Sequence, residues 1–546
     1  MSKPFPKPGV QPGKRIIISV IEQRARDEPL APWVSVPVDN NDLSRGYIDI
    51  TYGQLNNAAN HAAQWFLRNL PASSQAFQPI AYVGPKDLRY AILAVAAGKL
   101  HKKLILPNPA LSERNLVHLL TETKCEVYLG TEDMSDAIKA VLLHVPGVQY
   151  VTAPKLNALL QDTKAVDIEF GRSWDEAKDD PWLVFHSSGT TGNPKPLTHT
   201  FHAVANLEVP AALEDVVESP IHQYANKRWY THMPTLHYVG MAMSLLLPAF
   251  VNMTAILSPP DPSIKAVADI LHLARADGAL FTPPFIDQMV SFPAGLKALQ
   301  NLEFVHYVGA PLERSLGDQL IPYTKLTPVI GCTEAGYHLS EARPGDKDDW
   351  DYYSFQKHAG VTFERRADDL YEMVFIRQAE CAVQPIFIVF PELSRFATGD
   401  LWSQHPTRAG LWKPMGRMDD FVTLSDAKQY FVSPLEKEIE QHPGVEAAVI
   451  GGDGLPVPVL LIELSEHVKP DDGQRGVLQS LEPSLAKIRE ESSLKLELDL
   501  TIIAQKNKPF VRTVKGTVAR APTLKLYENE VKAMLNGTII EGYTVS

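Results

Sequence analysis

Through residues 14–400, short apolar strands alternate with amphipathic helices, and this alternation constrains the fold more than any other feature of the chain. Strands separated by a helix-length connection pair in parallel, and a parallel sheet needs helices on its faces. Ala279-Leu280-Phe281 follows one helix pattern, Phe304-Val305-His306-Tyr307-Val308 follows another, and Pro328-Val329-Ile330 forms a third strand. The helix ahead of the first strand reads from Asp261 as cap and Pro262 at its first position. Ile264, Val267, Ile270 and Leu271 then recur at helical spacing, and Gly278 stops the run. Ligands of such sheets bind at the carboxyl ends of the strands. The character changes near Gly416-Arg417-Met418-Asp419-Asp420. Ser433-Pro434-Leu435-Glu436 reads as a capping box with proline at the first helical position. His442-Pro443-Gly444 breaks that helix, and strands are predicted over 445–450, 458–464 and about 500–504. The predicted class is α/β: a large core over 14–417 with parallel-rich sheets covered by helices, then a small α+β domain over 418–546. Residues 1–13, with four prolines, read as a flexible tail rather than a signal peptide.

Composition narrows the partners. The 546 residues exceed one ordinary core. Against 52 Lys and Arg stand 64 Asp and Glu, a formal charge of -12. No clustered cationic surface for nucleic acid is implied, and a cytoplasmic location is expected. Cys125, Cys332 and Cys381 are far apart and odd in number, which argues against a disulfide framework or a zinc knuckle. The most apolar stretch, residues 241–257, is interrupted by Pro248 and Asn252, so it reads as a buried segment and no membrane span is expected.

The strand Pro181-Trp182-Leu183-Val184-Phe185 runs into His186-Ser187-Ser188-Gly189-Thr190-Thr191-Gly192-Asn193-Pro194-Lys195. Hydroxyls, glycine amides and one lysine in a tight loop make a phosphate cradle, and the spacing is not that of a Walker loop. The alternative reading is a plain Ser/Thr/Gly surface loop. Five further segments follow the same order as in a known superfamily. They are Ile50-Thr51-Tyr52-Gly53-Gln54-Leu55, Pro234-Thr235-Leu236-His237-Tyr238-Val239-Gly240, Val308-Gly309-Ala310-Pro311-Leu312, Gly331-Cys332-Thr333-Glu334, and Thr398-Gly399-Asp400 with Gly416-Arg417-Met418-Asp419. Over nearly its whole length the chain resembles the adenylate-forming superfamily of acyl-CoA synthetases, luciferases and peptide-synthetase adenylation domains.

The resemblance implies a reaction and its parts. ATP and Mg²⁺ would convert a carboxylic acid to an acyl-adenylate with release of pyrophosphate. Ser187, Ser188, Gly189, Thr190, Thr191, Gly192 and Lys195 would hold the triphosphate. Gly309, Ala310, Pro311, Gly331, Cys332 and Thr333 would line the nucleotide. Glu334, with Thr333 beside it, would ligate Mg²⁺, a hard cation that prefers oxygen. Asp400 would accept from the ribose hydroxyls and Arg417 would donate to ribose or phosphate; as single residues they read as a turn carboxylate and a surface cation. The catalytic lysine is assigned to Lys515 in Val511-Arg512-Thr513-Val514-Lys515-Gly516-Thr517. An ungapped alignment puts Thr517 at the family position instead, and a solvated loop lysine is the other reading of Lys515. Asp419 falls at the hinge about which the small domain of the superfamily moves.

By the same alignment the acid pocket is walled by His237, Met241, His306, Val308, Val329, Tyr337 and His338. His237, grouped with Lys515 and Glu334 as a candidate catalytic residue, stands where α-amino acid-activating domains carry an aspartate. An imidazole is a poor partner for an ammonium, so the implied substrate is an aryl or small polar acid. Pro196 after Lys195 and the R-T-x-K-G-T string resemble fungal peptide-synthetase-like enzymes of carboxylic acid reductase type. In those, the acyl group passes to a phosphopantetheine carrier domain and then to a reductase domain. Neither partner domain is evident here, so the chain reads as an excised adenylation domain or a stand-alone acyl- or aryl-CoA ligase. A non-catalytic nucleotide-binding module is the reading of another class, favoured only by the shifted lysine.

Overall fold

The computed structural model describes residues 10–188, 193–213, 215–216, 218–342, 347–367, 369–379, 383–468, 472–512 and 517–537. The chain divides into two compact units. The first runs to Val361 and includes Phe375–Phe396 and Arg408–Leu411; the second comprises Thr362–Val374, Ala397–Thr407 and the chain from Trp412.

Two sheets build the first unit. Their strands are β1 (Pro32–Pro37), β2 (Tyr47–Thr51), β3 (Pro79–Tyr82), β4 (Lys103–Ile105), β5 (Val127–Gly130), β6 (Gln149–Thr152), β7 (Pro181–Ser188) and β8 (Pro194–Thr200). They continue with β9 (Arg228–Thr231), β10 (Thr254–Ile256), β11 (Gly278–Phe281), β12 (Phe304–Val308) and β13 (Lys325–Val329). One sheet is ordered β13-β12-β11-β9-β10-β1-β2 and the other β6-β5-β3-β4-β7-β8. All pairs are parallel except β1–β2 and β7–β8, as the helix-length connections require. Buried side chains of β1, β3, β4 and β7 pack with the helices Ile17–Asp27, Tyr52–Asn69 and Arg89–Lys99 into one core. Thr51 caps the second of these helices: its hydroxyl accepts from the Gln54 amide and the Gln54 side chain accepts from the Thr51 amide. The apolar stretch after His237 is a buried helix with one π-turn at Ala242–Leu246, and Asn252 ends it in the left-handed conformation. Among the described residues no helix is long and apolar enough to cross a membrane.

Two local expectations need correction. The helix after Asp261 begins at Ile264, and Ser263 is its cap, accepting from the Ala266 amide. Asp261 takes a φ of +48° and pairs with Lys86 instead. Gly278 does not stop that helix, which ends at Leu273 with Arg275 making the left-handed turn. Gly278 opens β11, where a Cβ would meet the Trp229 ring at 2.7 Å.

The second unit contains a four-stranded sheet of β16 (Val361–Ala367), β17 (Leu370–Ile376), β18 (Arg395–Gln404) and β19 (Trp412–Arg417), which follow the short β14 (Gly331–Cys332) and β15 (Gly336–Tyr337) of the first unit. Asp400 and Arg417 lie in this smaller unit. Beyond β20 (Phe421–Thr423) and β21 (Gln429–Phe431), the strands β22 (Val445–Gly451), β23 (Val459–Leu464) and β24 (Thr501–Ile503) form a mixed sheet. The helices Ser433–Glu440 and Asp472–Ser492 pack on it. The capping box expected at Ser433 does not form, because Ser433 is already helical. Glu436 turns instead to the Ile450 amide and to Arg520.

Candidate functional site

The phosphate loop is the turn of a hairpin. β7 and β8 run antiparallel with Ser187 opposite Lys195 and Ser188 opposite Pro194, so the two strands close directly on the loop. Gly189, Thr190, Thr191 and Gly192 lie outside the described residues. Lys195 is exposed, and among the described residues it has no ion-pair partner. His186 fixes the end of β7: its Nε2 accepts from the Asn108 amide, in the chain following β4, at 3.0 Å. Burial holds the imidazole down to about 4, so at neutral pH it is the uncharged acceptor this bond needs.

In the other sheet, three loops leave the carboxyl ends of parallel strands. Val308 and Val329 are direct partners at the ends of β12 and β13. The loops Gly309-Ala310-Pro311 and Gly331-Cys332-Thr333-Glu334 therefore start side by side, where ligands of parallel sheets bind. Gly309 has a φ of +98°, open to glycine and strained for other residues. Thr333 and Glu334 stand on the three-residue turn between β14 and β15. A side chain at Gly331 would meet the Gly336 carbonyl oxygen at 2.5 Å, which keeps this hairpin tight. The Glu334 carboxylate is partly exposed and, among the described residues, has no hydrogen-bond or ion-pair partner.

The third loop, after β9, carries the acid-pocket candidates. His237 precedes the short helix Tyr238–Met241, its amide donating to the Pro234 carbonyl at 3.0 Å. Gly240 packs against that same turn. Met241 is fully buried, Val308 is buried, and Val329 and Tyr337 are partly buried. Tyr337 donates to the Ser340 carbonyl at 3.2 Å and, with Tyr238, Asn206 and Leu207, lines a small cavity. His338 is buried, with its Nε2 at 3.8 Å from the Cys332 sulfur across the hairpin. His306 lies inside the core: Nε2 donates to Gln223 Oε1 at 2.5 Å and Nδ1 accepts from the Tyr224 hydroxyl at 2.9 Å. Both nitrogens are committed, and burial holds the ring down to about 3.

One residue that the motifs did not reveal joins these parts. His199, on β8, donates from Nε2 to the Thr333 carbonyl at 2.9 Å. Its ring also packs on Phe185 of β7 and on Tyr238 of the pocket helix. The only sequence signal is its place in β8, two residues after the buried Leu197 and on the same face of the strand.

In the second unit, Asp400 and Arg417 face each other across β18 and β19, with Arg417 Nη1 at 2.5 Å from Asp400 Oδ1. The Thr398-Gly399-Asp400 corner is built by its own hydrogen bonds. The Gly399 amide donates to Glu372, and the Asp400 amide donates to the Thr398 hydroxyl. Asp419 sits on an exposed turn, Met418–Asp420. Lys515 lies outside the described residues. Arg520, which begins the helix after it, is held by Glu436, Asp420 and the Ile450 carbonyl.

Comparison with known proteins agrees with this geometry. The AMP-binding enzyme family matches residues 22–361, and the AMP-binding enzyme C-terminal domain matches 419–538. An isocyanide synthase-NRPS hybrid, crmA, of Aspergillus fumigatus is 28% identical over 95% of this chain and 33% of its own length. A carboxylic acid reductase of Neurospora crassa is 26% identical over 95% of this chain and 50% of its own, and an adenylate-forming reductase, Nps10, of Heterobasidion annosum is 27% identical over 76% and 39%. The chain thus spans half or less of the length of these relatives. In fold, it is similar to ATP-bound MatB from Rhodopseudomonas palustris (TM-score 0.70, 18% identity, 95% of this chain and 100% of that one). It is similar also to the anthranilate CoA ligase AuaEII in complex with anthranoyl-AMP (TM-score 0.69, 15% identity, 96% and 99%). The chain belongs to the AMP-binding enzyme family, as an ATP-dependent, acid-activating member of the adenylate-forming superfamily.

Proposed function

We propose that this chain adenylates an aryl or small polar acid, not an ordinary α-amino acid, and passes the acyl group to the thiol of a phosphopantetheine carrier ahead of a reductive step. The carrying observation is His237 at the start of the pocket helix Tyr238–Met241. A cationic imidazole repels an ammonium and a neutral one brings no negative charge to it, whereas either donates readily to a hydroxyl or carbonyl of an acid. The likeness over most of the chain to proteins named carboxylic acid reductase and adenylate-forming reductase supports the carrier and reductase partners.

In the first step a carboxylate oxygen bonds to the α-phosphorus as the bond to pyrophosphate breaks. Both reactants are anionic, so the site must align them and offset charge. Lys195 and the hydroxyls of the hairpin loop hold the triphosphate, and Lys515 contacts the carboxylate and α-phosphate. Asp400 accepts from ribose, Arg417 donates to it, and Asp419 is the hinge. Glu334, a hard oxygen donor without a partner among the described residues, fits Mg²⁺. The ion would neutralise triphosphate charge. In the second step the thiolate attacks the acyl carbon and AMP leaves.

The test is pyrophosphate release with ATP and Mg²⁺ over aryl, aliphatic and amino acids, with hydroxylamine trapping the adenylate. CoA and a phosphopantetheinylated carrier are then offered separately. Release driven by α-amino acids would refute the acid class. Thioester formation on CoA but not on the carrier would replace the second step with that of a stand-alone ligase.

A further inference from the structure

We propose that His199 is a positioning residue that sets the distance between the phosphate hairpin and the Thr333–Glu334 turn. The inference rests on the reading of that turn as the part of the site that works on the Mg²⁺-bound triphosphate.

β14 and β15 pair Gly331 with Tyr337 and Cys332 with Gly336, and the His338 amide donates to the Ile330 carbonyl at 3.0 Å; Thr333, Glu334 and Ala335 lie beyond these bonds. His199 supplies the outside anchor, through Nε2 to the Thr333 carbonyl at 2.9 Å. It stands on the same strand as Lys195, four residues on. At the rise of a β-strand that puts about 13 Å of strand between the α-carbons of the candidate phosphate lysine and of the histidine that holds the carbonyl next to Glu334. One imidazole thus connects strands of two different sheets at the edge where both carry their candidate ligand loops.

Packing alone does not account for a histidine here. The ring is completely buried among Phe185 and Tyr238, and its Nδ1 has no partner among the described residues. An unsatisfied buried nitrogen costs stability that leucine at this position would not. What leucine cannot supply is the donor to Thr333.

The experiment compares His199→Leu, His199→Gln and His199→Asn with Glu334→Gln. It measures the gain in affinity for a non-hydrolysable ATP analogue on adding Mg²⁺, by calorimetry, alongside thermal melting and the KM values for ATP and acid. Glutamine places an N–H near the position of Nε2, and asparagine does not reach it. His199→Leu should melt as a folded protein, bind the analogue without Mg²⁺ as wild type does, and lose about tenfold of the Mg²⁺-dependent gain, the value of one hydrogen bond. His199→Gln should recover most of that loss. If the leucine variant does not fold, the glutamine–asparagine contrast decides. An unchanged Mg²⁺ gain in folded His199→Leu, or equal values for Gln and Asn, would overturn the proposal while a loss in Glu334→Gln kept the reading of the turn. A full gain in Glu334→Gln would overturn both.

Discussion

Replacing Gly240 with alanine should displace the wall of the proposed acid pocket. A Cβ at this position would lie 2.0 Å from the Pro234 carbonyl oxygen, 2.4 Å from its carbon and 2.9 Å from the Met233 carbonyl oxygen. All three atoms are backbone, so no side chain can swing aside. The Pro234 carbonyl is also fixed by the His237 amide at 3.0 Å. To bring the nearest contact to the 3.0 Å that real Cβ atoms barely reach, the turn must open by about 1 Å. Overpacking of this kind costs about 1–3 kcal/mol, and a backbone clash belongs at the upper end. The same shift moves Tyr238 and His237, and a misplacement of about 1 Å at a reacting site can cost about 100-fold in rate. The assay is acid-dependent pyrophosphate release, read as kcat/KM for the acid and separately as KM for ATP, beside a denaturant titration. The acid parameter should fall far more than the ATP parameter changes. Gly476→Ala is the matched control: it makes the same chemical change in the helix Asp472–Ser492, where nothing lies within 4 Å of the added atom. It should stabilise its own unit by about 0.5–1 kcal/mol. Wild-type acid kcat/KM in Gly240→Ala with an unshifted denaturation midpoint would refute the steric argument.

Acid should destabilise the larger unit through its buried histidines. Burial holds His186, His199 and His232 down to about 4 and His306 to about 3, whereas the unfolded chain titrates at about 6.5. The unfolded state therefore binds more protons in this window. The stability is fully present above about 6.5 and is lost as pH falls towards 4, at up to about 1.4 kcal/mol per pH unit for each histidine. Denaturation midpoints that stay flat between pH 6.5 and 5 would contradict this. Lys515→Ala should abolish most adenylation and leave ATP binding nearly intact; a silent Lys515→Ala beside a damaging Thr517→Ala would move the role to position 517. Asp400→Asn should raise the KM for ATP while changing stability by at most about 1 kcal/mol, because its pair with Arg417 is partly exposed. A large loss of stability with unchanged KM would make Asp400 a structural residue.

What the sequence disclosed, and what it hid, follows the range of the forces involved. β7, β11, β12 and β13 were readable because each is a short apolar run with punctuation at its ends, and their parallel pairing follows from the helix between them. The loops at their carboxyl ends were readable as Gly- and Ser/Thr-rich breaks. Helix caps were harder. Asp261 and Ser263 are both capping residues, and Pro262 between them made the first look like the start, although the chain turns left-handed at Asp261 and enters the helix two residues on. Long-range partners were not readable at all. Glu436 looked like half of a capping box, but its oxygens are taken by Ile450 and Arg520, 14 and 84 residues away. Asp400 and Arg417 each read as ligand-facing, and only the register of β18 on β19 shows that they face each other. His199 was the least visible. A histidine in a strand beside lysine, prolines and threonines gives no apolar alternation, and its meaning depends on a carbonyl 134 residues further on.

The carboxylates separate into those that hold the fold and those left available for chemistry. Glu208 is fully buried and pairs with Arg15, and Glu436 pairs with Arg520; neither can be lent to a ligand without leaving a partly buried cation alone. Asp400 is different: its partner Arg417 is half exposed, so the pair has little to lose by opening. Glu334 goes further, with no partner among the described residues, on the turn between β14 and β15. A carboxylate kept in that state has its binding capacity in reserve for a cation. The anchoring of Thr333 by His199 matters for this reason. A free charge is useful only if its position is fixed in advance, because whatever ordering remains to be done must be taken from the binding energy of the ligand.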